Sequence, residues 1–209
     1  MSFFTLCVIC AVIGYLIGSV NSSIVVGKIL RQKDIRTQGS GNAGATNVLR
    51  FMGRRAAASV LILDMLKGVI AVIITWLLQN HFEVSMPFEP AIITGVATVV
   101  GHIFPIFFKF KGGKGVATSL ALAFMLDWRV GLALLPVALP IVIFMRLVSL
   151  AALSGAFVYP IITFVFNQGE PEIIAYSVFI CIVLFWTHRT NLKRLFGGNE
   201  NKVSWKGRG

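Results

Sequence analysis

The stretch G101-HIFPIFFKFKGGKGVA-T118 sets an apolar, aromatic run directly against three lysines and a cluster of glycines. Read from its left side, it is the end of a membrane helix: the apolar run from about Ala91 to Phe108 is long enough to cross a hydrocarbon core, and Pro105 bends or ends it. Read from its right side, Lys109, Lys111 and Lys114 among Gly112, Gly113 and Gly115 form a basic, conformationally free loop. A soluble domain has no use for that junction.

The rest of the chain agrees. Of 209 residues, 56% are hydrophobic and only 13% charged, and the mean hydropathy is +0.84. Such a composition belongs to the membrane class. The net charge of +11 does not call for nucleic acid, because the basic residues sit in short segments between apolar runs, as expected of loops facing an anionic membrane surface. Cys7, Cys10 and Cys181 lie inside apolar segments without metal-ligand spacing and read as buried thiols. The N-terminal run lacks a basic leader and a small-residue cleavage pattern, so it reads as a retained span.

Working outward, apolar segments run from about Phe3 to Val26, Ala56 to Leu78, Ala91 to Phe108, Val116 to Leu126, Val130 to Met145, Leu147 to Phe166 and Ile173 to Thr187. Asp127, Trp128 and Arg129 mark a turn, as does the polar stretch Asn167 to Glu172, and Gln79 to Glu89 form an outer loop. The expectation is an all-α, polytopic membrane helix bundle, one domain over 1–209, with seven transmembrane segments. If the two short segments between 116 and 145 form a shallow pair, the count is five. The basic regions 28–36, 109–114, Arg146 and 188–194 then share one side, which the positive-inside rule makes cytoplasmic, with the N-terminus outside and the C-terminus inside. No internal duplication of the transporter kind is visible.

Three polar clusters interrupt the apolar chain. In the first, Ser40-GNAGATNVL-Arg50, glycines let successive amides turn toward an anion while Arg50 adds a guanidinium fork; a flexible loop whose Ser40, Asn42, Thr46 and Asn47 cap a helix starting near Ala45 is the plainer reading. The second is the opening loop, where amides of Gly112, Gly113 and Gly115 with Lys109, Lys111 and Lys114 suit phosphate, or where the lysines serve only topology. It lacks the GxxxxGK[ST] spacing of a nucleotide loop. The third, His188-RTNLKRLFGGN-Glu200, holds His188 and Asn191 on one helix face with Lys193 and Arg194 toward headgroups; a basic stop-transfer tail explains the cations but has no need of His188 and Asn191. His102 is a packing or a chemical histidine. Asp64 and Lys67 form an i,i+3 pair within a span, read as structural. Ser149, beside Arg146, is a better ligand candidate than Ser154.

These three clusters, in this order, closely resemble the bacterial acyl-phosphate glycerol-3-phosphate acyltransferase family, called PlsY. The likeness rests on GSGNAGATNVLR at 39–50, GHIFPIFFKFKGGKGVAT at 101–118 and HRTNLKRLFGGNE at 188–200, with GSVNSS at 18–23, and covers nearly the whole chain. Ala43 stands where the family commonly has proline. The resemblance implies acyl transfer from long-chain acyl phosphate to the first-position hydroxyl of glycerol 3-phosphate, yielding lysophosphatidic acid and orthophosphate, with no cofactor and no metal. It implies an inner-membrane protein whose site faces the cytoplasm, among membrane lipids. Carried over by position, it marks Ser40, Arg50, His188 and Asn191 as catalytic. Asn42, Lys109, Lys111, Gly112, Gly113, Lys114, Gly115 and Ser149 become substrate-binding, and Glu200 structural. The proton acceptor is His188 or a substrate phosphate. The competing class is an organic-anion transporter, which moves substrate without acylating it.

Overall fold

The computed structural model describes residues 2–84 and 88–204; residues 85–87 of the expected outer loop lie outside them. Every regular element among the described residues is helical: α1 (Phe3–Gly18), α2 (Ser22–Ile29), α3 (Ala45–Phe82), α4 (Ala91–Ile103), α5 (Val116–Leu126), α6 (Trp128–Pro140), α7 (Val148–Phe166), α8 (Pro171–Thr187) and α9 (Arg189–Phe196), with short 3-10 turns at Ile35–Thr37 and Ile106–Phe108 and a π turn at Ile141–Met145.

Local chemistry sets the boundaries. Ser2 caps α1 by accepting from the Thr5 amide at 3.1 Å, and Asn21 caps α2 by accepting from the Ile24 amide at 3.1 Å. Each side-chain oxygen satisfies a helix-start amide with no intrahelical acceptor. Asp127 caps α6 at the Arg129 amide and also binds the Arg129 guanidinium at 2.8 Å. Pro136 and Pro140 lie inside and at the end of α6, each removing one helical amide, and a π turn follows directly.

Each expected apolar segment is helical, with differences of length. Among the described residues five helices, counting α1–α2 as one unit and α4 and α6 with their terminal turns, are long and apolar enough to cross a membrane; a sixth follows if α8 and α9, bent by 64° at His188, are one span. The 11-residue α5 is too short to qualify. The helix expected near Ala45 begins there and joins the second apolar segment across Gly53, whose non-helical backbone (φ +83°) kinks α3 between the two. The last helix does not run straight past Thr187: it turns at His188, yet His188 and Asn191 are both buried. Of the cysteines, Cys10 is buried, whereas Cys7 and Cys181 are only partly covered.

The bundle is apolar outside and carries polar groups within. Phe4, Phe144, Leu77 and Ile182 are exposed, while Thr75, Thr94, Thr98, Thr118 and Ser177 are fully buried. In lipid, apolar surface is no penalty and buried hydroxyls bond between helices. Thr75 and Thr94 hydroxyls meet at 2.6 Å between α3 and α4, and Thr118 donates to the Asp64 carbonyl at 3.0 Å, tying α5 to α3. A core of Val72, Val99, Leu122, Tyr159 and Ile180 fills the centre.

Helices α1 and α4 pack closely where Gly14 and Gly18, four residues apart, form a smooth strip. A Cβ at Gly18 would run into the Thr98 carbonyl, and one at Gly101 into the Tyr15 carbonyl. Backbone cannot move aside as a side chain can. Gly18→Ala should therefore destabilise the bundle by about 1–3 kcal/mol, the usual cost of overpacking, seen as a lower thermal midpoint in detergent. An unchanged midpoint would contradict the close α1–α4 contact.

Candidate active site

The first polar segment is a loop folded around one side chain. Asn47, buried at the start of α3, shares its two Nδ2 protons among the carbonyls of Ile35 (3.1 Å), Gln38 (3.0 Å) and Asn42 (3.2 Å), and its Oδ1 accepts from the Ser40 amide at 3.4 Å. The left-handed Gly39 (φ +53°) and Gly41 (φ +70°) allow the chain to wrap this amide. Buried Ala43 packs with Val26, Ile35 and Val48, so packing and the Asn47 bonds together hold the loop.

The second segment turns sharply after its span. Lys109 and Phe110 both have φ +57°, and the Phe110 amide returns to the Pro105 carbonyl at 3.0 Å. Arg36 donates to the Phe108 carbonyl at 2.8 Å and joins this turn to the first loop. Beyond the turn, the amides of Gly112 and Gly113 bond the carbonyls of Ile103 and His102, each at 3.1 Å.

The third segment starts at the α8–α9 bend. His188 Nδ1 lies 2.8 Å from the Leu184 carbonyl, so this nitrogen donates and Nε2 is the bare acceptor. Asn191 is held from both ends: its Oδ1 accepts from the Lys114 ammonium and its Nδ2 donates to Glu200 at 2.9 Å. Glu200 also takes Arg194 Nε at 3.0 Å. The tail then runs back across the bundle, with Arg50 donating to the Asn201 carbonyl at 3.2 Å and the Val203 amide to the Arg146 carbonyl at 2.9 Å.

These segments converge on one cavity of about 210 Å³. Ser40, Asn42, Arg50, Lys114, Gly115, Ser149, His188, Asn191 and Glu200 all line it. Ser149 is 8% exposed, and its hydroxyl has no hydrogen-bond partner among the described residues. Lys109 and Lys111 are not brought there. Both are exposed and absent from the cavity wall, because the left-handed turn at 109–110 reverses the chain before the glycines. Gly112 and Gly113 also lie off the wall, packed against the end of α4. Two residues read as structural or ambiguous, Asp64 and His102, do border the cavity. Their convergence from different helices leaves no trace in linear spacing.

The cavity wall sets Arg50, Lys114 and Arg194 against the carboxylates of Asp64 and Glu200, leaving a small excess of positive charge. Burial, and then the neighbouring Arg194, push the Lys114 ammonium down to about 8, Glu200 opposing and Arg50 adding to the shift. Burial and the Lys114 charge likewise push His188, just beyond α8, down to about 4. At neutral pH the site thus offers a charged lysine, two arginines, a neutral imidazole acceptor, and the hydroxyl and amide groups of Ser149 and Asn191.

A second, largely apolar cavity of about 150 Å³ adjoins the first and shares Val116, Leu120, Val148 and Ala152 with it. Leu134, Ala138, Gly155 and Tyr159 line its remaining wall. Among the described residues no group of three or more His, Cys, Asp or Glu side chains suits a metal ion.

Helices and cavities together describe a multi-pass membrane protein in which a polar cavity lies beside an apolar one. The glycerol-3-phosphate acyltransferase family model matches residues 8–198. Glycerol-3-phosphate acyltransferase of Thermoanaerobacter pseudethanolicus (strain ATCC 33223 / 39E) is 40% identical over 199 residues, covering 95% of this chain and 96% of that one. The Coxiella burnetii (strain RSA 493 / Nine Mile phase I) protein of the same name is 41% identical over 196 residues, covering 94% and 97%. The crystal structure of PlsY (YgiH), an integral membrane glycerol 3-phosphate acyltransferase, in its glycerol 3-phosphate form superposes with a TM-score of 0.84 at 35% identity, covering 95% of this chain and 96% of that one. Its lysophosphatidic acid form gives 0.82 at 34% identity with the same coverage. The chain belongs to the glycerol-3-phosphate acyltransferase family.

Lys114 makes anion affinity pH-dependent with a definite sign. A phosphate monoester loses its second proton at about pH 6, so the ligand stays dianionic through the alkaline range. The free-enzyme lysine is charged below about 8 and loses its proton above it. Affinity for glycerol 3-phosphate should therefore fall as pH rises from 8 to 10, and Lys114→Arg should flatten that fall, as measured by equilibrium binding. A wild-type affinity independent of pH in this range would remove Lys114 from the phosphate contact.

Proposed function

We propose that this protein transfers a fatty acyl group from acyl phosphate to the sn-1 hydroxyl of glycerol 3-phosphate, releasing lysophosphatidic acid and orthophosphate as a step of phospholipid biosynthesis. The observation that carries this reading is the shared wall between the cationic cavity and the apolar one. A donor with an anionic head and a long acyl tail fits both at once, and a small polar acceptor fits beside the head. The reading takes 1–209 as one acyltransferase domain in the bacterial inner membrane, the N-terminus outside and the cavity toward the cytoplasm. The placement of basic residues at 28–36, 109–114, Arg146 and 188–194 supports that orientation.

In this scheme the glycerol hydroxyl oxygen attacks the acyl carbonyl carbon, the carbon–oxygen bond to the donor phosphate breaks, and orthophosphate leaves. Cations hold two phosphate-bearing substrates together against their repulsion, and orientation lowers the barrier. Lys114 and Arg50 neutralise phosphate charge, while Ser40, Ser149 and the second Asn191 N–H donate to oxygens on which charge grows. The donor is already activated, and no covalent enzyme intermediate is needed.

The proton goes to a substrate phosphate in preference to His188. An imidazole at about 4 is a weaker base than a phosphate monoester, whose second pKa is about 6. His188 then orients substrate through bare Nε2. His188→Gln, given intact binding, should retain measurable turnover; a folded, binding-competent variant with none would make His188 the indispensable base.

The direct test supplies purified protein with palmitoyl phosphate, palmitoyl-CoA or palmitoyl-carrier protein together with labelled glycerol 3-phosphate. Lysophosphatidic acid and orthophosphate should form with the first donor alone. Binding without product, or movement of label across sealed vesicles without acylation, would replace the reading with transport.

The apolar cavity gives a further handle. A Cβ added at Gly155 meets nothing within 4 Å, so Gly155→Leu should fill the cavity without disturbing the bundle. Denying burial to two methylenes, at about 0.8 kcal/mol each, should lower kcat/KM roughly tenfold for palmitoyl phosphate and far less for decanoyl phosphate. Equal effects on both would place the tail elsewhere.

A further inference from the structure

Asp64, Lys67 and His102 form a buried group at the back of the cavity, each at most 6% exposed, and the acyl-transfer scheme assigns none of them a step. They come from α3 and α4 but act as one unit. The Lys67 ammonium has three donors and no acceptor. One goes to Asp64 Oδ1 at 3.0 Å, one to the Val20 carbonyl at 3.3 Å and one to His102 Nδ1. Asp64 also accepts the Ser22 hydroxyl at 2.8 Å. Because an ammonium can only donate, His102 Nδ1 accepts at that contact; Asp64 Oδ1, at 3.5 Å, is too far to take a good hydrogen bond from it. The donor count therefore assigns the imidazole proton to Nε2.

That edge of the ring faces the glycine loop. A Cβ added at Gly113 would collide with His102 Nε2 and Cε1 and lie 3.0 Å from the Ala43 carbonyl. Gly113 is thus held between the imidazole and the first polar loop, while its amide bonds the His102 carbonyl at 3.1 Å. The next residue is Lys114, whose ammonium reaches Asn191. His102 touches a point where the first two polar segments meet, immediately before the cation that binds the third.

We propose that His102 is a positioning residue for the phosphate site: Lys67 fixes it as the Nε2–H tautomer, and that edge sets Gly113, and through it Lys114, against the loop at 39–44. The inference rests on reading Lys114 as the phosphate-binding cation. It makes His102 the opposite of His188, whose Nδ1 carries the proton and whose Nε2 is bare. The buried ion pair then has a use beyond stability: it selects one ring orientation at the loop's base.

Nitrogen-15 spectra of histidine-labelled wild-type protein in detergent test the tautomer directly, with the three histidines assigned by His81→Asn and His102→Gln variants. His102 should show a bare, hydrogen-bonded Nδ1 and a protonated Nε2, and His188 the reverse; a protonated Nδ1 on His102 overturns the inference. Kinetics test the positioning. Glutamine carries an amide N–H about as far out as Nε2, asparagine about as far as Nδ1. His102→Gln should keep KM for glycerol 3-phosphate within about threefold, whereas His102→Asn should raise it roughly tenfold with kcat nearly unchanged in both. Equal KM values, or a loss confined to kcat, overturn it. A wild type without acyl transfer refutes the reading of the site, while a wrong tautomer refutes this inference alone.

Discussion

The lysine ammonium of Lys114 bonds the Asn191 carbonyl oxygen, and the same amide donates to Glu200. This short chain is the constraint on which the site depends. Lys114 belongs to the loop after α4, Asn191 to α9, and Glu200 to the tail that also receives Arg194 and lies beside the Asn201 carbonyl held by Arg50. Breaking it at Asn191 would take the side-chain acceptor from the half-buried Lys114 ammonium and leave Glu200 with Arg194 alone, and a cation held away from water without a partner costs more than a lost surface contact. The amide is also fixed in orientation, since a donor on one side and an acceptor on the other admit only one arrangement.

Around that chain the bundle resolves a conflict between its solvent and its chemistry. Lipid gives helices no hydrophobic reason to associate, so close backbone packing and internal hydrogen bonds must hold them. Gly14, Gly18 and Gly101 provide the first between α1 and α4, and the Thr75–Thr94 and Thr118–Asp64 bonds the second. The polar interior that results is where phosphate can be handled, and its apolar neighbour, lined by Leu134, Gly155 and Tyr159, is where an acyl tail can lie.

Hydropathy alone reveals the apolar segments, because long uncharged runs have few other uses. It places boundaries poorly where a helix is polar: Thr46 to Arg50 belong to α3, and no loss of hydrophobicity marks the helix start at Ala45. The three polar clusters stand out for the same reason the spans do, as interruptions in an apolar chain, and Ser40, Arg50, Lys114, His188, Asn191 and Ser149 do meet at one cavity. Lys109 and Lys111 look equivalent to Lys114 in sequence. Only the positive φ values at 109 and 110 separate them, and non-glycine residues give little warning of that conformation. The Asp64–Lys67 pair is visible as i,i+3 spacing, but its third member, His102, is 35 residues away along the chain from Lys67. Asn47 reads as a helix cap, whereas it is the hub of the first loop.

In the proposed acyl transfer the loop at 109–115 and the segment at 188–200 act as one catalytic unit through Lys114 and Asn191. A double-mutant cycle on kcat/KM, using Lys114→Met, Asn191→Leu and the pair, measures that link directly. Strong non-additivity is expected, a coupling above about 1 kcal/mol, with the second substitution adding little once the first is made. Effects that sum to within about 0.5 kcal/mol, the behaviour of independent sites, would contradict it.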